Sequence, residues 1–166
     1  TLAGRTSENR LYLTSSNEWN CAQTEKAYLW FQQKLRGLIT TGVSNETTID
    51  AIRKGGEDKK NVVKEMMLAD LGICNVVLSG TKEKPIVSTV HQLTDDNGNQ
   101  KQYTLQLGQE SVGTQRFFSR IGLWMDAMNS GAVLVVDEIE ASMHPLLTRH
   151  LIEMIQDQTI NQNHAQ

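Results

Sequence analysis

With 166 residues, 21% of them charged, and a net charge of −3, the chain is long enough to bury the core of one domain and has no basic excess of the kind that marks a nucleic-acid binder. No apolar stretch approaches the ~20 residues that cross a bilayer, and the first residues form no signal-like apolar run, so a cytoplasmic protein is expected. Cys21 and Cys74 lie far apart and outside any CxxC spacing, which argues against a disulfide framework and against a zinc site.

Residues 19–39 place Ala27, Trp30, Phe31, Leu35 and Leu38 at the recurrence of an amphipathic helix, with Ser15, Ser16 and Asn17 available as caps. Residues 42–56 are polar and broken and read as a connection that contains a short element at 49–52. A second helical pattern covers 57–71, with Val62, Val63, Met66, Met67 and Leu71 on its apolar side, acids in its first turn and Gly72 beyond its end. Residues 76–78 fit a short strand. Residues 86–93 and 102–107 are rich in β-formers, flank Asp95-Asp96-Asn97-Gly98, and are expected to pair as a hairpin.

From Thr114 the period becomes helical, with Phe117, Phe118, Ile121, Trp124, Met125 and Met128 on one side until Asn129-Ser130-Gly131 closes the element. The run 132–136 is short and β-branched and fits a strand buried on both faces, as in a parallel sheet. Pro145 is well placed at a first helical position with His144 or Ser142 near the cap, and Leu147, Leu151, Ile152 and Ile155 form the stripe that follows. The polar stretch 161–166 reads as turns.

Two segments carry chemistry. In α/β folds the crevice beyond the carboxyl end of a parallel strand binds ligands. In nucleotide hydrolases the residue there is an Asp that orients Mg²⁺ and its waters, and a following Glu can accept the proton of the attacking water, roles for which Asp137 and Glu138 have the types and spacing. The strand alone fits two solvated acids equally well. The second segment, Glu110-Ser111-Val112-Gly113-Thr114, puts a hydroxyl and a glycine at a helix N-terminus. That arrangement suits an anion, and it equally suits a cap by Ser111 or Thr114 with Gly113 in the turn.

Taken together, ESVGTQRFFSRIG, a helix, a short turn and AVLVVDEIEASMHP resemble the C-terminal half of soluble ABC-type ATPase heads. The likeness is greatest to OLD- and RloA-like AAA family ATP-binding proteins, relatives of the SMC heads from bacterial antiphage and restriction-linked systems. It spans residues 108–166 and implies an α/β P-loop NTPase fragment with a parallel sheet core, a β-hairpin and a helical insertion. Residues 1–84 would then be the mostly helical insertion, and 85–166 the signature (110–114), Walker B (133–138) and D-loop (140–145) portion.

The resemblance also implies ATP and Mg²⁺ as cofactors and a head-to-tail homodimer around two ATP molecules. Ser111, Gly113 and Thr114 would meet the nucleotide held by the partner. Asp137 would hold Mg²⁺ through water, Glu138 would activate the hydrolytic water, and Glu140, Ser142 and Met143 would cross the seam as the D-loop.

ESVGT and SMHP replace the LSGGQ and Leu-Asp of transporter ATPases, so a membrane importer is not expected. No G-x-x-x-x-G-K-[ST] occurs, and Gly80-Thr81-Lys82 lacks its spacing. In such heads the switch histidine lies on the strand after a segment like the one that ends at Gln166. The chain is therefore read as part of a longer ATPase, unable to bind ATP tightly or hydrolyse it alone; the alternative is a non-hydrolysing interaction module derived from such a head.

Other residues read more plainly. His144 and His150 point to different helix faces and make a poor metal pair, and His91 reads as a sheet-face residue. Met66, Met67, Met125 and Met128 read as core filler, and Trp19 and Trp30 as packing residues. An effector protein is an expected partner, and Arg53-Lys54 and Lys59-Lys60 are the candidate contacts to DNA or RNA.

Overall fold

The computed structural model describes residues 10–38, 44–69, 72–94 and 98–166. In chain order the helices are α1 (Tyr12–Glu18), α2 (Ala22–Lys34), α3 (Glu46–Lys54), α4 (Gly56–Ala69), α5 (Val112–Ser130) and α6 (Pro145–Gln156). The strands are β1 (Leu35–Leu38), β2 (Ile73–Gly80), β3 (Pro85–Thr94), β4 (Gln100–Gln106) and β5 (Val133–Val136), and a 3-10 turn, Leu107–Gln109, links β4 to α5. The class is α/β, with one parallel and one antiparallel sheet. β1 pairs in parallel with β5, Leu35 opposite Val133 and Leu38 opposite Val136, while β2, β3 and β4 form the antiparallel sheet in sequential order.

The first expected helix is corrected at both ends. It starts only at Ala22, after a break at Trp19–Cys21 where Asn20 takes φ +52, and Ser15, Ser16 and Asn17, expected as caps, lie inside a separate helix, α1. Leu35–Leu38 leave the helix to pair with β5, a partner distant in sequence that local periodicity does not see. Among the described residues nothing covers the apolar side of α2: no residue of α2 is buried, and Trp30 and Phe31 are 47% and 49% exposed, meeting edge to face at 5.1 Å. Trp19 is exposed as well, so neither tryptophan has the packing role expected of it.

The expected connection 42–56 contains a full helix, α3, which buries Thr48, Ile49 and Ile52. Helix α4 matches its expected pattern at Val62 and Met66, but Met67 faces outward. The short strand expected at 76–78 lies inside the longer β2, which pairs with β3 across the turn at 81–84. β3 and β4 pair as expected, with Ser88 opposite Gln106 and Thr94 opposite Gln100, whereas Leu107 falls in the 3-10 turn. Ile39, residues 42 and 43, Leu71, and Asp95, Asp96 and Asn97 of the expected tight turn lie outside the described residues.

Helix α5 is the axis of the core. Its Phe117, Phe118 and Ile121 are fully buried, and Trp124 and Met128 nearly so, against Ile49 and Ile52 of α3, Val62 and Met66 of α4, Val76 of β2 and Leu147, Leu151 and Met154 of α6. The buried Trp124 indole N–H finds its partner in the Leu151 carbonyl at 2.8 Å. Helix α3 is locked on by Thr48, whose hydroxyl donates to the Phe118 carbonyl at 2.7 Å and accepts the Gly122 N–H at 3.1 Å, entering the hydrogen-bond ladder of α5 itself. Contact this close is open only to glycine, because a Cβ at Gly122 would fall 2.4 Å from the Thr48 nitrogen.

Beyond α6 the chain turns back. The buried Asn161 amide donates to the Ile155 and Ala165 carbonyls, and its oxygen accepts the Ala165 N–H. This brings Gln166 beside β5, where it donates to the Ala132 carbonyl at 3.0 Å and accepts the Leu134 N–H at 2.5 Å, the bonding pattern of a parallel neighbour. No helix among the described residues is long and apolar enough to cross a membrane.

Candidate functional site

β5 delivers Asp137 and Glu138 to the surface at its carboxyl end. Both side chains are exposed, and among the described residues neither carboxylate has a hydrogen-bond or ion-pair partner. The strand itself is not buried on both faces as expected. Val133, Leu134 and Val136 are half-buried and Val135 is 56% exposed, because the two-stranded sheet is covered on one side only among the described residues.

The acids sit on a strained turn. Glu138 has φ +47 and Ser142 φ +58, left-handed conformations that side chains other than glycine adopt only where their surroundings hold them. Within the turn Ala141 N–H donates to the Glu138 carbonyl at 2.9 Å and Met143 N–H to the Glu140 carbonyl at 3.1 Å. Glu140 and Ser142 are exposed on the same stretch. Met143, expected beside them at a seam, instead packs in the core at 8% exposure: an apolar side chain next to α5 is better buried than presented.

The segment 110–114 is anchored from beneath. The Glu110 carboxylate lies 2.6 Å from His91 Nε2 and accepts the Thr89 hydroxyl, with the Glu110 and His91 side chains each 5% exposed. Tyr103 stacks on the His91 ring at 5.0 Å. His91 is thus on a sheet face, as expected, but that face is internal and carries the polar tether of the loop. The sequence signal is the alternation Val87, Thr89, His91, three residues on one face of β3, all buried.

This tether gives a test. His91→Phe preserves the stack on Tyr103 but leaves a buried carboxylate short of a partner, and is expected to cost about 3 kcal/mol in denaturant unfolding. Adding Glu110→Gln should recover much of that loss. Strictly additive losses would show that the two side chains do not act as a pair.

Ser111 caps α5: its Oγ accepts the Thr114 N–H at 3.1 Å and lies 2.8 Å from the Thr114 hydroxyl. Thr114 is buried at 3% exposure and faces Ser111, whereas Ser111 itself is exposed. Capping and anion binding are compatible here, since the cap uses the Thr114 amide and the helix N-terminus stays at the surface. Gly113 joins this loop to the acid-bearing turn, because a Cβ there would lie 3.5 Å from the Ser142 carbonyl oxygen. Gly113 thus sets the loop 110–114 beside Ser142, on the turn that follows Asp137 and Glu138 in the chain.

One side chain at this junction was not singled out in the sequence. Arg120, fully buried on α5, donates from Nη1 to the Ile139 carbonyl at 2.5 Å. Burial lowers its pKa from the ordinary arginine value, Arg116 lowers it further, and Glu140 opposes the shift. The basic residues considered for nucleic acid have acidic neighbours: Arg53 is paired with Asp50, Lys54 with Asp58, and Lys60 with Glu57. His144 caps α6 with its ring nitrogen, Pro145 is the first helical residue as expected, and His150 is bonded to Glu65 of α4 at 2.5 Å.

No group of three or more His, Cys, Asp or Glu side chains converges as a metal site among the described residues. Asp137 does fit Mg²⁺ as that ion is held in nucleotide sites, by one or two carboxylates, waters and substrate phosphates, because its oxygens are exposed and uncommitted. A crevice of about 530 Å³ among α3, α4 and α5 is lined by Glu46, Asp50, Lys54, Asp58, Lys64 and Asp126 among others, and none of its lining residues belongs to 110–114 or 137–143.

Among known families, the one described as "AAA domain, putative AbiEii toxin, Type IV TA system" matches residues 21–166. No curated protein and no solved structure matches the chain.

Proposed function

The chain belongs to this AAA-domain family, and from that premise we propose that it is the signature, Walker B and D-loop portion of an ATP-binding, ATP-hydrolysing ATPase of the ABC-head type. The observation that carries the reading is the approach of Gly113 to the Ser142 carbonyl, which sets the loop 110–114 beside the turn that follows the acid pair. Phosphoryl transfer needs positioned charge and a positioned water far more than covalent chemistry, and these two segments offer an exposed helix N-terminus and free carboxylates.

Bound ATP and Mg²⁺ would supply the transferable phosphoryl group and the neutralising charge. Asp137 would hold the metal, and Glu138 would take the proton of the attacking water. Ser111 and Gly113 present the α5 N-terminus to nucleotide held by a second copy, while the exposed part of the D-loop, Glu140 and Ser142, lies at the seam. Thr114 acts indirectly, by fixing the Ser111 hydroxyl. The family's description, which names a type IV toxin–antitoxin system, supports a toxin–antitoxin setting, in which we place a cytoplasmic OLD- or RloA-like protein working with an effector.

The experiment is a subunit-mixing assay in the full-length protein. Ser111→Arg blocks the signature surface and Glu138→Gln removes the base, so each variant alone should hydrolyse almost no ATP. Mixed in equal amounts they should regain about a quarter of wild-type turnover, because each mixed dimer assembles one intact site from the two different chains. A mixture as inactive as its parts would reject a shared site. A wild-type protein without ATP turnover would favour the interaction-module reading.

A further inference from the structure

Helix α5 carries an arginine among buried apolar residues. Phe117, Ile121 and Trp124 flank position 120 on the helix, and all are buried, while Arg116 lies one turn before it. Arg120 is fully buried with them, yet only Nη1 is bonded; Nε and Nη2 have no partner among the described residues. Buried cationic donors without acceptors are costly, and an apolar side chain of similar volume often does as well or better for the fold. The residue therefore has a use other than stability, and the group that it holds shows what that use is.

We propose that Arg120 is the positioning residue of the acid turn: it pins the Ile139 carbonyl from the core side and offers its remaining donors to the Glu140 carboxylate. Ile139 lies between Glu138 and Glu140, so the pinned peptide adjoins the left-handed Glu138, whose conformation needs an external hold. Glu140 is exposed and directly follows Ile139, whose carbonyl Arg120 holds, but among the described residues it makes no hydrogen bond to the guanidinium. An inward turn of Glu140 when the D-loop is covered satisfies Nε and Nη2 and stiffens the segment that aims Glu138. Arg120 belongs to none of the three motif segments, and links α5, which the signature loop opens, to the base.

The effect on turnover rests on the ATPase reading, but the pinning does not, and the test separates them. In the full-length protein, Arg120→Met should leave the melting temperature within a few degrees of wild type or raise it. Amide hydrogen exchange at 137–143 should accelerate about 10-fold or more, and kcat should fall about 10-fold or more with the KM for ATP nearly unchanged. With ATP bound, so that the D-loop is covered, Glu140→Gln should speed exchange in the same segment when Arg120 is present and add nothing in Arg120→Met.

Unchanged exchange at 137–143 in Arg120→Met overturns the proposal, as does full kcat in that variant, or an effect of Glu140→Gln that is the same with and without Arg120. If the wild type hydrolyses no ATP, the ATPase reading fails and the exchange data still decide the pinning. If Arg120→Met does not fold, Arg120→Lys decides: it keeps one donor for Ile139 and loses the forked pair, so wild-type exchange in the turn overturns the proposal.

Discussion

Glu138→Gln should lower ATP turnover of the full-length protein about 100-fold or more while leaving nucleotide binding in place. Glutamine keeps the length and shape of the side chain and loses only its capacity to accept a proton. The Glu138 side chain is exposed and makes no hydrogen bond, so its replacement leaves no buried group unpaired and the fold should melt at the wild-type temperature. A dimer that cannot complete the reaction should also persist longer with ATP bound. The measurements are steady-state phosphate release, nucleotide binding by calorimetry and dimer lifetime by light scattering. Unchanged turnover would remove Glu138 from the role of base and leave the acid pair without its assigned chemistry.

Gly122→Ala should be strongly destabilising. Glycine inside a helix is normally worse than alanine by about 1 kcal/mol, so helix propensity alone recommends the substitution. Here the new Cβ would fall 2.4–2.5 Å from the nitrogen, Cα and Oγ1 of Thr48. Two of those three atoms are backbone, and α3 can yield only by giving up the Thr48 bonds to Phe118 and Gly122. The expected net loss is about 3 kcal/mol or more, a fall in melting temperature of roughly 6–12 °C for a domain of this size.

Gly113→Ala is the internal control. Its Cβ would meet the Ser142 carbonyl at 3.5 Å and Ser111 Oγ at 3.7 Å, both ordinary contacts, so the variant should fold at least as well as wild type. Equal melting temperatures for the two alanine variants would show that α3 and α5 are not packed as described.

Elements whose stability is local were legible in the residues. Helix α5 announces itself through Phe117, Phe118, Ile121 and Trp124, ends where Gly131 takes a left-handed φ of +58, and packs as that periodicity requires. Pro145 and His144 start α6 where expected, and the β3–β4 pairing follows from alternation and the turn residues between the runs. What misled was local pattern without a local partner. Leu35 and Leu38 continue a helical period, but Val133–Val136 claim that stretch as a strand, and Trp30 and Phe31 form an apolar side that no described element covers. Helix α3 was reduced to residues 49–52 because its polar residues hide the one, Thr48, that enters the core.

The sequence by itself determined the chemistry available: an acid pair closing a β-branched run, a hydroxyl and a glycine opening a helix, and their order and spacing along the chain. Those are properties of residue type and separation, which need no fold to be read. Only the tertiary structure decided which side chains meet. It brought Gly113 against Ser142, drew Met143 inward, tied Glu110 to His91, and set Arg120 under Ile139. Each of these contacts joins residues from different elements across a packed core, where the position of one side chain depends on the shape of all its neighbours.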